Sequence, residues 1–112
     1  MDIKELAQQR CLPRRGEEHL IDGEERDELL RALPGWTLSD DGKMISKDFR
    51  FEDFHRSIGF VNAVAFMANR EDHHPDLEVG YGHCRVHWST HDVGGLSMND
   101  FVCAAKVEGL FA

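Results

Sequence analysis

Long apolar runs are missing from this chain. No stretch approaches the roughly 18 residues a helix needs to cross a bilayer, so no membrane span is expected. Positive charge is scarce: 13 Lys and Arg stand against 21 Asp and Glu, a formal net charge of −8. Binding nucleic acid without regard to sequence takes a basic face that displaces counterions. The only basic cluster here, Arg10, Arg14 and Arg15, runs at once into Glu17 and Glu18, so direct contact with DNA or RNA is not expected. Cysteine is sparse as well. Three of them without a CxxC spacing read as reduced thiols in a cytosolic, cytoplasmic protein. The opening "MDIKELAQQRCLPRRGEE" has no apolar segment ahead of a cleavage site and does not read as a secretory signal. Internal repeats and low-complexity tracts are also missing.

What is present fits one globular domain: 112 residues, 41% hydrophobic and 30% charged. Residues 1–20 are polar, with a short helical possibility at Ile3 to Gln9 broken by Pro13 and Gly16. They are expected as a flexible or loosely docked lead-in to a single domain over 21–112. Asp22 and Glu25 form a capping-box pattern ahead of Leu29, Leu30 and Leu33, and Pro34-Gly35 ends that helix. Asp41-Gly42 predicts a hairpin between Trp36–Ser39 and Lys43–Phe51.

The longest periodic segment follows. Phe51, Phe54, Ile58, Val61, Ala65 and Ala68 make one apolar stripe, and Phe60, Val64 and Met67 a second. So wide an apolar arc predicts a helix buried on more than one side, lying across a sheet and available to a partner subunit. Beyond Pro75 a second hairpin turns at Tyr81-Gly82, with Leu77 and Val79 facing Cys84, Val86 and Trp88. Ser97 and Asp100 then cap a last helix through Val107, with Cys84 and Cys103 expected in the core. The order helix, hairpin, helix, hairpin, helix predicts an α+β fold: a four-stranded antiparallel sheet with helices on one face and open edges that invite subunit pairing.

Five of the seven histidines fall between Arg70 and Asp92, in "REDHHPDLEVGYGHCRVHWSTHD". A shared metal is a poor explanation for them. His73 and His74 are adjacent, and adjacent side chains on extended backbone point apart. His87 and His91 are about 13 Å apart on an extended strand. Plain surface histidine accounts for His19, His55, His83 and His87, the last on the strand face opposite Val86 and Trp88. Proton chemistry accounts for the others, because histidine changes charge near neutral pH and can serve as general acid or base. In a hairpin the start of the first strand lies beside the end of the second. The turn at Tyr81-Gly82 therefore brings His73 and His74 next to His91 and Asp92.

The segments "EDHHPDL" and "WSTHDVGGLSMND", with the spacing between them, resemble the pterin-4a-carbinolamine dehydratase family, also called the dimerization cofactor family. The likeness runs from about residue 20 to the end, through "GEERDELLRALPGW" and "FRFEDFHRSIGFVNAVA". It implies dehydration of 4a-hydroxytetrahydropterin to quinonoid dihydropterin, which recycles the cofactor of aromatic amino acid hydroxylases. It also implies that His73, His74 and His91 carry acid–base roles, that Asp100 supports the site and Pro75 shapes it, with Asp92 beside them. No cofactor and no metal are implied. The implied partners are the small-molecule pterin, a homodimer or homotetramer, and a hydroxylase; in animals some members also bind a transcription factor's dimerization helix. Two positions depart from family patterns: Asn69 stands where many members have an acidic residue, and Leu77 where some have an aromatic. The competing readings are a non-catalytic oligomerisation or regulatory module on the same fold, and a zinc protein.

Overall fold

Alternation along the strands decides which side of the sheet is covered. The computed structural model describes residues 1–111; residue 112, the last of the expected domain, lies outside them. Four strands, β1 (Thr37–Leu38), β2 (Ile45–Arg50), β3 (Asp76–Gly80) and β4 (His83–Trp88), form an antiparallel sheet in the order β1-β2-β4-β3. Ile45 pairs with Trp88 and Phe49 with Cys84, and on β3 Leu77 pairs with Val86. These residues share one face, where Ile45, Phe49, Cys84, Val86 and Trp88 are buried. Ser46, Arg85, His87 and Glu78 alternate to the other face, as the period of two requires.

Two helices cover the apolar face. The first, α3 (Phe54–Glu71), begins where Asp53 accepts the Arg56 N–H at 2.9 Å. The second, α4 (Met98–Gly109), begins at Ser97, whose capping box with Asp100 forms as expected. Phe101 to Ala105 and Val107 are buried in an unbroken core with Trp88, Phe60 and Val64. The α+β architecture with a four-stranded antiparallel sheet is thus the one the alternation predicts.

Three local expectations differ. In α2 (Gly23–Arg31) the Asp22 side chain makes no cap hydrogen bond. Gly23, at φ +58°, enters the helix through left-handed backbone, which breaks the geometry a capping box requires. The first hairpin is shorter than its sequence span, two residues on β1 against six on β2. Its turn is closed instead by side chains: Asp41 accepts from Ser39 Oγ at 2.7 Å and from the Lys43 N–H at 3.0 Å, and these bonds hold its carboxyl below the usual range. Lastly, α3 fully buries one face only, drawn from both stripes. Ser57, Phe60, Val64, Ala68 and Glu71 face inward, while Phe54 and Phe66 are 49% and 62% exposed. A single sheet offers one surface to lie against.

The lead-in is packed rather than loose. Asp2 and Glu5 form a capping box on α1 (Ile3–Gln8), Leu6 is fully buried in the core, and Lys106 on α4 donates to the Ala7 carbonyl at 2.7 Å. Residues 10–14 continue as a strap held by two side chains. Glu71 accepts the Cys11 N–H at 2.8 Å and pairs with Arg10 at 3.0 Å. Asn99 accepts the Leu12 N–H at 3.1 Å and donates to the Leu12 carbonyl at 2.8 Å.

Burial alone would raise the Glu71 carboxyl. The Cys11 N–H, the Lys106 charge and Arg10 outweigh it and leave the group below its usual 4.5. A depressed folded value means the clamp is fully present above about pH 4.5 and is lost as pH falls through that lower value. Charge-assisted bonds are worth about 1.5–3 kcal/mol, so the Cys11 amide is expected to exchange about tenfold or more faster below the folded titration of Glu71 than near pH 6, after correction for intrinsic rates. In Glu71→Gln this pH dependence should vanish. A Cys11 amide as well protected in Glu71→Gln as in the wild type near pH 6 would contradict the assignment.

Candidate active site

The C-terminus of α3 separates the two adjacent histidines. Asp72 adopts the left-handed conformation (φ 53°, ψ 42°), the only non-glycine residue with positive φ among those described. The His73 N–H turns back to the Ala68 carbonyl at 3.2 Å, closing the helix in the manner of a left-handed C-cap. Half-buried Pro75 follows, disfavouring the α region at His74. His73 goes into the protein and His74 stays out.

His73 is held on two sides. Its ring stacks on Trp88 with centroids 5.6 Å apart and planes 13° apart. Its Nε2 lies 2.6 Å from Asp100 Oδ1. Asp100 is fully buried, and its other oxygen accepts the Ser97 N–H at 2.9 Å and the Thr90 hydroxyl at 2.7 Å. Capping α4 and holding His73 are therefore done by different oxygens of one carboxylate. A carboxylate can only accept, so Nε2 of His73 carries the hydrogen, and the neutral ring keeps its lone pair on Nδ1.

His74 is exposed, with Nε2 3.0 Å from Asn69 Oδ1. The amide oxygen makes that ring nitrogen a donor as well. His91 opens a short 3-10 turn, His91–Val93, just after Thr90, and its ring has no hydrogen-bond partner among the described residues. Asp92 is exposed, and its carbonyl accepts the Gly16 N–H at 3.0 Å. His73, His74, His91, Thr90 and Asp92 line one open recess of about 340 Å³. The pairing of Asp76 with His87 sets the two ends of the hairpin side by side, as the turn at Tyr81-Gly82 predicts. A second recess of about 380 Å³ shares Asp72, His73, Thr90 and Asp92 and is closed on its far side by the strap.

The other histidines stand apart. His87 bridges Ser46 Oγ (2.6 Å) and Glu78 Oε2 (2.5 Å) on the outer face of the sheet, and His19 lies 3.9 Å from Glu18. Cys84 and Cys103 are buried and all three cysteines are free. Burial raises the Cys84 thiol; the Cys11 contact and burial raise that of Cys103. Trp88, Thr90, Asn69 and the strap were not among the expected site residues. Thr90 and Asn69 are the ones with a sequence signal: Thr90 precedes His91 in "STHD", and Asn69 stands at a position where many family members are acidic.

The fold and the recess define a small α+β protein with three imidazoles, one oriented by a buried carboxylate, around one open recess. The family model for pterin 4 alpha carbinolamine dehydratase matches residues 19–110, and the chain belongs to that family. It is 53% identical, over 97% of its length and 94% of the relative's, to a protein of Stenotrophomonas maltophilia (strain K279a) provisionally named pterin-4-alpha-carbinolamine dehydratase. It is 54% identical, over 98% and 93%, to one of Xanthomonas campestris pv. campestris (strain 8004) with the same provisional name. Among solved structures it is similar to a transcriptional coactivator/pterin dehydratase from Brucella melitensis, with TM-score 0.78 and 33% identity over 82% of this chain and 98% of that one. A pterin dehydratase-like protein described as a RuBisCO assembly factor in the alpha-carboxysome shares the fold, with TM-score 0.59 at 21% identity over 68% and 88%.

Proposed function

We propose that this protein eliminates water from 4a-hydroxytetrahydropterin to give quinonoid dihydropterin, recycling the cofactor of aromatic amino acid hydroxylases. The observation that carries the reading is the convergence of His73, His74 and His91 on one recess, with His73 fixed by Asp100. Family membership supports it.

The reaction breaks the C–O bond at the carbinolamine carbon. The leaving hydroxide takes a proton and departs as water, and a ring N–H gives up its proton as the C=N bond forms. One acid and one base suffice, each worth about 10²–10⁴-fold. His74, exposed and with one ring nitrogen held by Asn69, is assigned as the main acid at the departing oxygen, delivering the proton of its other ring nitrogen from the imidazolium form. His73 positions or shares that proton, and His91 acts at the opposite side of the ring. Asp100 orients His73, Pro75 sets the separation of the two adjacent rings, and Asp92 contributes polar wall. Absorbance-monitored loss of the 4a-hydroxy adduct in EDTA-containing buffer tests the reading: clear acceleration over the spontaneous rate is expected, and a rate equal to the enzyme-free control would overturn it.

The outer edge of β3 and the exposed side of α3 favour self-association. Val79, Phe54 and Phe66 stay exposed in a single chain, and an unpaired strand edge is a template for pairing. A homodimer or homotetramer is proposed; sedimentation velocity showing only the 12.8 kDa monomer would contradict it.

A further inference from the structure

The strap of residues 10–14 and Arg15 beyond it have no part in the proton chemistry, yet two buried polar side chains, Glu71 and Asn99, are committed to holding the strap against the site. What the strap adds to the second recess is guanidinium. Arg14 spends its Nε on Asn99 Oδ1 at 3.0 Å, and its terminal nitrogens have no partner among the described residues. Arg15 is exposed and has no side-chain partner among them either. Arg70 joins from the last turn of α3, its guanidinium over the Phe66 ring at 5.9 Å. Arg10 is neutralised by Glu71. Arg14, Arg15 and Arg70 therefore all stand among the residues lining a recess whose remaining unpaired carboxylates are Asp72 and Asp92, in a chain that is otherwise strongly acidic.

A guanidinium offers donors only and matches planar or tetrahedral oxygen acceptors. The second recess shares the His73 wall with the first, so a substituent on a ring held at the histidines extends into it. From this we infer that Arg14, Arg15 and Arg70 form a specificity subsite for an oxygen-rich side chain on the pterin ring, hydroxylated or phosphorylated. The inference rests on the dehydratase reading and adds the residues that recognise the substituent on the ring. The neighbouring recess of about 410 Å³ on the other side of His91 holds a single cation, Lys43, and is the alternative path for such a substituent.

The test measures kcat and KM of the full chain and of the double variant Arg15→Ala/Arg70→Ala on three 4a-hydroxytetrahydropterins. One carries a 6-methyl group, one a 6-polyhydroxyalkyl chain and one the phosphate ester of that chain. The wild type is expected to favour at least one oxygen-bearing substrate over the 6-methyl compound in kcat/KM, chiefly through KM. In the double variant that preference should fall by about tenfold or more, while Lys43→Ala keeps it. Preference for the ester over the alcohol, lost in the variant and weakened by salt, assigns the anionic source; equal preference assigns the hydroxyls. Equal kcat/KM for all three substrates in the wild type, or a preference lost in Lys43→Ala and kept in the arginine variant, overturns the subsite while leaving the dehydratase intact. No turnover of any of the three removes the dehydratase reading, and the subsite with it.

Discussion

Asp100→Asn is expected to slow the dehydration by about 10²–10⁴-fold in a protein that still folds. The carboxylate has two jobs on two oxygens: Oδ2 takes the Ser97 N–H and the Thr90 hydroxyl, and Oδ1 takes His73 Nε2. Asparagine has one acceptor oxygen. With that oxygen on the Ser97 and Thr90 side, the α4 cap survives and the amide nitrogen faces His73. Two donors then meet, and relief comes from moving the His73 hydrogen to Nδ1, which removes the lone pair from that nitrogen. Loss of a charge-assisted bond at a fully buried site costs about 1.5–3 kcal/mol, so a lowered melting temperature is expected alongside. A variant with wild-type turnover would show that His73 needs no oriented tautomer.

His74→Ala carries an expected effect of similar size by another route. The ring is exposed and its one hydrogen bond is to Asn69, so stability should stay within about 0.5 kcal/mol of wild type. Turnover should fall by about 10²–10⁴-fold, the usual contribution of a positioned acid, with kcat reduced more than KM is raised. The two variants separate the roles. Asp100→Asn should lose both stability and rate, and His74→Ala rate alone. An unchanged rate in His74→Ala would move the acid role to another residue.

Most of the candidate site's layout is legible in the sequence because its parts are close in the chain or tied by a short hairpin. The turn at Tyr81-Gly82 fixes which strand ends meet, and Ser97-x-x-Asp100 marks the α4 cap together with the residue that holds His73. What stayed hidden depends on contacts between distant segments. Glu71 and Asn99 reach Cys11 and Leu12 across 60 and 87 residues, and no periodicity signals a polar side chain buried for the sake of a remote backbone. The lead-in therefore read as loose. Both apolar stripes of α3 are visible, but which face is buried belongs to the sheet, which takes Phe60 and Val64 from one stripe and Ala68 from the other and leaves Phe54 in solvent. At Asp22 the local pattern was satisfied and the backbone at Gly23 overrode it. Alternation along β4 puts Trp88 on the face of Cys84 and Val86, but that its indole forms the stacking floor for His73 follows only from the register of β4 against the α3 C-terminus.

The central claim is that three imidazoles in one recess move the protons of a dehydration. Its most direct test is the rate of water loss from 6-methyl-4a-hydroxytetrahydropterin with wild type, Asp100→Asn and His74→Ala at equal concentration and pH, beside an enzyme-free control. A fast wild type, with both variants near the control, is the expected result. Wild type no faster than the control, or both variants as fast as wild type, would contradict it.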